Sequence, residues 1–173
     1  AVSEEIEKLF NVEFFQSTSG SIPDDIDLLM LLHPKNLSDK QLYQIDQYVL
    51  KGGNLFIALD PNAITEAATG GPAPQSFASD LPRLLENRGV RYNSNQVVGD
   101  LQLATSVNSQ NGVLRYPPWI SLGVSQLDQQ HPITSQLEQL LFAEAGNLSP
   151  LDNATTTFEA LINELEEAAG TKF

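Results

Sequence analysis

Two short apolar runs separated by a capped helix constrain the fold of this chain more than any other feature. The first run spans residues 27–33 and ends at His33, and the second spans residues 54–60 and ends at Asp60. Apolar runs of this length that end in polar residues are typical of strands buried on both faces of a sheet. We therefore predict two buried strands within residues 25–61.

The segment between these runs predicts an amphipathic helix. Ser38 and Gln41 have the spacing of a capping box, in which each side chain satisfies a backbone N–H of the first turn. Gly52 is the residue type that closes a helix in the left-handed conformation. The apolar face of the helix consists of Leu42, Ile45 and Val49. A helix that connects two buried strands predicts a βαβ unit with parallel strands.

The predicted fold is α/β, a three-layer sandwich with a mainly parallel sheet, formed by residues 1–173 as a single domain. Ligands of such sheets bind at the carboxyl ends of the strands. His33 and Asp60 both lie at that end of their strands, so we expect them to share one rim.

The remaining patterns predict shorter elements. Residues 101–118 are rich in Asn, Gln, Ser and Thr and are predicted to be irregular, and residues 69–75 are predicted to form a surface loop. Gly89 is predicted to end the second helix. The predicted strands are residues 12–15, 90–92, 96–98 and 120–124, and the predicted further helices are residues 3–10, 81–88, 133–142 and 156–170.

The composition excludes several classes of function. The chain has 22 acidic and 9 basic residues and a net charge of −13, which argues against binding to nucleic acid or to anionic membranes. It has no cysteine, which excludes a thiol nucleophile, disulfides and thiolate metal sites. The histidine and carboxylate spacings match no metal-binding motif, so neither a metal nor another cofactor is predicted.

The order of several motifs resembles the auxiliary components of bacterial ABC transport systems, of the gliding-motility-associated, substrate-binding-like type. The resemblance covers residues 21–148. It rests on residues 27–61, on the helix that ends at Gly89-Val90, on residues 97–100 with Asp100, on Tyr116-Pro117-Pro118-Trp119, and on His131-Pro132-Ile133-Thr134.

The resemblance implies a fold akin to the glutamine-amidotransferase-like or flavodoxin-like α/β sandwich. It also implies an extracytoplasmic, periplasmic domain, a fragment of a longer protein that is anchored in the inner membrane by segments outside this chain. An ABC permease and its ATPase are the implied partners. Amidotransferases of that fold use a cysteine nucleophile, which this chain lacks.

Three roles remain open for the two strand-end residues. His33 and Asp60 could form a catalytic triad with Ser17 or Ser19, although the chain has no Gly-x-Ser-x-Gly elbow. They could bind a ligand at the rim. They could also be structural, with His33 ending its strand before Pro34 and Asp60 forming a turn with Pro61.

A second group of candidate ligand-binding residues lies later in the chain. Arg115, Tyr116 and Trp119 have the chemistry of a binding hot spot, and the alternative is that Trp119 packs at the edge of the core. His131 either contacts a ligand or begins a helix capped by Thr134 or Ser135. Asp100 follows a predicted strand and belongs to the same candidate set.

Taken together, the sequence favours a non-catalytic module that recognises a small molecule, sugar or peptide, or that binds another protein. A hydrolase that uses His33, Asp60 and a Ser/Thr loop is one alternative. A structural spacer within a membrane complex is the other.

Overall fold

The computed structural model describes residues 2–15, 21–64, 76–109 and 112–162. Ser17, Ser19, the predicted loop at 69–75 and the second half of the predicted helix at 156–170 lie outside these ranges. The chain divides into two compact units, residues 1–30 with 38–56, and residues 31–37 with 57–173. Among the described helices, none is both long and apolar enough to span a membrane.

The first unit contains the predicted crossover helix. Helix α1 spans Val2–Glu7, and helix α2 spans Asp39–Leu50. Ser38 caps α2 as predicted, because both hydrogen bonds of the capping box are present. Gly52 has a φ of 94° and follows the helix in the left-handed conformation. The ring of Tyr48 lies 2.3 Å from the position that a Cβ at Gly53 would take, so any other residue there would displace this ring.

Strands β1 (Leu28–Leu32) and β2 (Asn54–Ala58) pair with each other in a two-stranded sheet. Where the two strands begin, the Asn54 side chain donates a hydrogen bond to the carbonyl of Asp27, which precedes β1, at 3.0 Å. Where the two strands end, the N–H of His33, which follows β1, donates to the Ala58 carbonyl, at 2.9 Å. The N-terminal ends of the two strands therefore lie together, and so do their C-terminal ends. This is the parallel arrangement that the sequence predicts.

Burial of these strands differs from the prediction. Leu28, Met30 and Leu32 alternate along β1 and are exposed, as is Phe56 on β2. Only Leu29 of β1 is buried. The strands are therefore half-buried, and the expectation that both faces are covered was wrong for the described residues.

The second unit contains a helix and two antiparallel sheets. Helix α3 spans Pro82–Asn87 and is followed by Gly89 with a φ of 75°, as predicted. Strand β3 (Val90–Tyr92) pairs antiparallel with β7 (Leu148–Pro150). Strands β4 (Ala104–Ser109), β5 (Gly112–Gly123) and β6 (Gln139–Ala143) form a sheet in the order β4-β5-β6, also antiparallel. A short 3₁₀ helix, Val124–Gln126, follows β5.

These sheets correct the predicted architecture. The fold is mixed α/β, but two of the three sheets in the described residues are antiparallel, so a three-layer sandwich with a mainly parallel sheet is not confirmed. Helix α3 contacts β3. The buried apolar side chains of the second unit include Leu81, Leu84, Leu85, Val97, Ala104, Ile120 and Leu122.

Several local predictions were also wrong. Residues 101–118, predicted as irregular, contain β4 and most of β5, and residues 133–142, predicted as a helix, contain a turn and most of β6. Residues 12–15 are not a strand, and residues 96–98 form only an isolated bridge at Val97. Residues 157–162 are not helical, and Ile162 instead bridges to Leu127.

The prolines of β5 explain the irregular pattern around them. Ala104 pairs with Ile120, whereas the next residue, Thr105, pairs with Tyr116, so Pro117, Pro118 and Trp119 form a bulge opposite β4. Proline has no N–H to donate and is tolerated in a strand at such a bulge. The two proline carbonyls instead accept hydrogen bonds from the N–H groups of Asp100 and Glu144, at 3.1 and 2.8 Å.

Candidate functional site

His33 and Asp60 are brought together by a third residue, Ser79. The Ser79 hydroxyl lies 2.8 Å from Nδ1 of His33 and accepts a hydrogen bond from the Asp60 N–H, also at 2.8 Å. The Ser79 N–H in turn donates to the Asp60 carbonyl, at 2.7 Å. The expectation that the two strand-end residues share one rim is therefore met, through a serine that the sequence did not single out.

Ser79 is placed too deeply to act as a nucleophile. Only 2% of its surface is exposed, and its hydroxyl oxygen already accepts the Asp60 N–H. A triad needs a serine oxygen that substrate can reach and a histidine that is oriented by a carboxylate. In the contacts of the described residues, Asp60 reaches Ser79 through its backbone and uses its carboxylate to accept the Asn62 N–H, at 2.9 Å.

Glu144 forms the centre of a second network beside the first. The residue is 8% exposed, and its carboxylate accepts hydrogen bonds from the Tyr116 hydroxyl, at 3.2 Å, and from the Asn62 side-chain amide. Asn62 links the networks, because its backbone N–H bonds to Asp60 while its side chain bonds to Glu144. We call these six residues the rim cluster: His33, Asp60, Asn62, Ser79, Tyr116 and Glu144.

Two residues of the rim cluster have unusual backbone conformations. His33 has a φ of 45° and Glu144 has a φ of 57°. These values lie in the left-handed region, which residues other than glycine rarely adopt. Each follows directly after a strand, β1 and β6 respectively. Strained backbone of this kind persists where the surrounding contacts hold it in place, and it is concentrated at functional sites.

Two aromatic side chains border the rim cluster, and each has a buried polar atom. Tyr92 faces Asp60 and Ser79, and its ring packs close to Gly146. Trp119 packs edge to face against Tyr116, with ring centroids 6.2 Å apart and an angle of 74°. Oη of Tyr92 and Nε1 of Trp119 are buried, and neither has a hydrogen-bond partner of good geometry in the described part of the chain.

The pKa values of both tyrosines are raised. Burial raises the pKa of Tyr92 to about 12, and the negative charge of Asp60 adds to this rise, while the Ser79 hydroxyl partly offsets it. Burial also raises the pKa of Tyr116, followed by the charge of Glu144 and their hydrogen bond. Both phenols are therefore neutral hydrogen-bond donors at physiological pH.

The other predicted site residues take positions within the fold. The Asp100 carboxylate accepts the N–H groups of Gln102 and Leu103, at 2.6 and 2.8 Å, and so shapes the turn before β4. The Arg115 guanidinium donates to the carbonyls of Gln102 and Ala104. Through these contacts, both side chains stabilise the backbone at the start of β4.

His131 lies in a turn rather than at the start of a helix. Its Nδ1 accepts the Ile133 N–H, at 3.2 Å, and its carbonyl accepts the N–H of Ser135, at 2.9 Å. Thr134 is buried and donates its hydroxyl to the Asp128 carbonyl. The expected helix cap by Thr134 or Ser135 was wrong, and no contact joins His131 to the rim cluster among the hydrogen bonds described.

Sequence reasoning missed four contributors: Asn62, Ser79, Tyr92 and Glu144. Asn62 follows the predicted strand-end Asp60 by two residues, a spacing that could have indicated it. Ser79 and Glu144 belong to no motif, and Glu144 follows a strand that was predicted as a helix. In the described residues no group of three or more His, Cys, Asp or Glu side chains is placed to hold a metal ion.

Comparison with known proteins gives one match. The family model described as "ABC-type uncharacterized transport system" matches residues 1–164, which include the whole rim cluster. No curated protein and no solved structure matches the chain significantly. The family match confirms the resemblance to auxiliary components of ABC transport systems.

Proposed function

Because this chain belongs to the ABC-type uncharacterized transport system family, we propose that it is a non-catalytic recognition domain whose rim cluster binds a small polar ligand. The resemblance to gliding-motility-type components supports an extracytoplasmic, periplasmic location. On the same basis, the partners are an ABC permease and its ATPase, and the membrane anchor belongs to segments outside this chain.

The buried donors at the rim cluster carry this proposal. A buried polar atom without a hydrogen-bond partner costs about 1–3 kcal/mol, so Trp119 Nε1 is expected to be satisfied by something else. Tyr92 Oη interacts with Ser79 but makes no hydrogen bond of good geometry, so its own O–H is available to donate. A ligand with acceptor oxygens, such as a sugar, an amino acid or a short peptide, would supply what these donors need. Small-ligand sites commonly combine aromatic walls with a few polar groups in this way.

The hydrolase is the weaker candidate. The distance of 2.8 Å between His33 Nδ1 and Ser79 Oγ resembles a base and its nucleophile. The burial of Ser79 and its bond to the Asp60 N–H argue against this role, because attack on a substrate requires an accessible oxygen. The spacer remains the alternative if no ligand binds.

The proposal is tested by ligand screening with two readouts. Trp119 is the only tryptophan of the chain, so a ligand at the rim should change its fluorescence. A ligand at one hundred times its Kd should also raise Tm by roughly 5–10 °C, because it binds only the native state. The panel should contain sugars, amino acids and short peptides.

Matched variants show whether a positive result comes from the rim. Tyr92→Phe should weaken binding at least tenfold, whereas Tyr43→Phe, which removes an exposed tyrosine of α2, should not change it. If no compound of the panel is bound, the spacer is favoured. If the wild type hydrolyses an ester or glycoside and both His33→Ala and Ser79→Ala abolish turnover, the domain is an enzyme and our proposal is wrong.

A further inference from the structure

The hairpin of β4 and β5 extends beyond the core as a two-stranded arm. We define the arm as residues 105–108 of β4 and residues 113–116 of β5, which pair with each other from Thr105↔Tyr116 to Asn108↔Val113. Most of its side chains are exposed, including the apolar Val113 (71%) and Leu114 (43%). A two-stranded ribbon is marginally stable in water by itself, and exposed apolar residues on it commonly mark an interaction surface.

The outer edge of β4 lacks the features that normally prevent further strand pairing. Within the described ranges, β5 is the strand that pairs with β4, and β6 pairs with the other side of β5. Residues 105–108 read Thr-Ser-Val-Asn, without a charge or a proline. Protein edges are usually blunted by such residues. The other strand of the arm includes Arg115 and is followed by Pro117 and Pro118, whereas residues 105–108 of β4 contain no such residue.

The charge distribution separates the arm from the rest of the chain. None of the 22 acidic residues lies between Leu101 and Leu127, and Arg115 is the one basic residue there. Its guanidinium is already bonded to the carbonyls of Gln102 and Ala104, with Nη2 at 2.5 and 3.2 Å from the two oxygens. The arm therefore contains one positive charge and no negative charge, while the remainder of the protein is strongly acidic.

From these observations we propose that the outer edge of β4 binds an extended, basic segment of a partner protein, which adds to the sheet as a further strand. Backbone hydrogen bonds would supply affinity, as in other cases of strand addition. The acidic remainder of the chain would attract a basic segment from a distance, and the acid-free edge would not have to desolvate a carboxylate on contact. This proposal is independent of ligand binding at the rim cluster.

The same charges argue against two other occupants. A second copy of the chain would bring another net charge of −13 beside the first. An anionic membrane surface would be repelled in the same way, and two of the three guanidinium nitrogens of Arg115 are bonded to backbone carbonyls. A basic protein segment meets neither obstacle.

The proposal is tested with three nine-residue peptides added to the full chain. The basic peptide alternates Thr and Val between terminal lysines, the acidic peptide has terminal glutamates instead, and the third is the basic peptide with a central proline. Fluorescence anisotropy should show saturable binding of the basic peptide, and both other peptides should bind at least tenfold more weakly. Amide hydrogen exchange should slow at residues 105–108 when the basic peptide is bound.

Lysines on β4 should block this binding, because charged edges resist strand addition. Ser106→Lys combined with Asn108→Lys should lower the affinity for the basic peptide at least tenfold at fixed ionic strength. Ser125→Lys combined with Gln130→Lys adds the same charge at exposed positions outside the arm and should leave affinity within twofold. The proposal would be overturned if both pairs of lysines lowered the affinity equally, or if the basic peptide did not bind. It would also be overturned if the bound peptide slowed amide exchange outside β4 instead of at residues 105–108. So would dimerisation in light scattering that the β4 lysines abolish, because the occupant would then be a second copy.

Discussion

The rim cluster has two halves that solve the same structural problem with different chemistry. In one half, Ser79 joins His33 to Asp60 with a neutral hydroxyl and backbone hydrogen bonds. In the other half, the carboxylate of Glu144 joins Asn62 to Tyr116. Each half contains one left-handed residue that directly follows a strand, His33 or Glu144.

The two halves differ in the free energy that is lost when their polar groups are removed from water. A buried hydroxyl gives up little hydration and is satisfied by two partners, whereas a buried carboxylate must be compensated by strong donors. Removing the carboxylate leaves two donors of other residues without an acceptor, in addition to the loss of the side chain itself. We therefore expect the glutamate half to contribute more to stability than the serine half, and two measurements can test this ranking.

The largest effect is expected for Glu144. Glu144→Ala should lower the free energy of unfolding by about 3–5 kcal/mol, because the Tyr116 hydroxyl and the Asn62 amide both lose their acceptor. Glu144→Gln should cost about 1–3 kcal/mol, since one amide oxygen can accept from only one of these donors in the same geometry. Urea unfolding measures both, and Glu138→Ala on an exposed position should stay within about 0.5 kcal/mol.

A smaller effect is expected for the serine half. Ser79→Ala should lower stability by about 1–3 kcal/mol, because the Asp60 N–H and His33 Nδ1 both lose the bond to the hydroxyl. Ser125→Ala, on the exposed 3₁₀ helix, provides the matched control. A loss equal to that of Glu144→Ala would remove the distinction between the two halves.

The smallest effect is expected for Tyr92 and appears only at high pH. Its pKa of about 12 in the folded protein lies above the ordinary value of about 10 for an unfolded chain. The unfolded chain therefore releases this proton first, and its contribution to stability, complete below pH 10, is lost as the pH rises toward 12. Urea midpoints measured from pH 9 to 11.5 should fall less steeply for Tyr92→Phe than for Tyr43→Phe. Identical slopes in the two variants would contradict the assignment.

The part of the fold that could be predicted is the part in which the pattern is local. Ser38 and Gln41 cap α2, and Gly52 and Gly89 end helices, because each feature depends on residues within one turn. The placement of His33 and Asp60 at one rim also followed from local patterns, since a helix between two strands determines their direction.

The antiparallel sheet could not be predicted in this way. Residues 105–109 and 112–115 are largely exposed on both faces, so β4 and the outer half of β5 have no alternation of apolar and polar residues. In residues 133–142, Ile133, Leu137, Leu140 and Leu141 recur at helical spacing although β6 begins at Gln139. With β6 misassigned, Glu144 could not be recognised as a strand-end residue. Ser79 depends on contacts 19 and 46 residues away, which no short pattern encodes.

The paired prolines of β5 also determine which alignments of the hairpin are available. If β4 slid by one residue in one direction, Thr105 would face Pro117, whose nitrogen carries no hydrogen. In the other direction, the Ser109↔Gly112 pair would be lost and Asn108 would face Gly112. Each shift loses a pair or opposes a residue to a proline nitrogen, so a single alignment is favoured, and with it one fixed sequence of side chains and amides along that border.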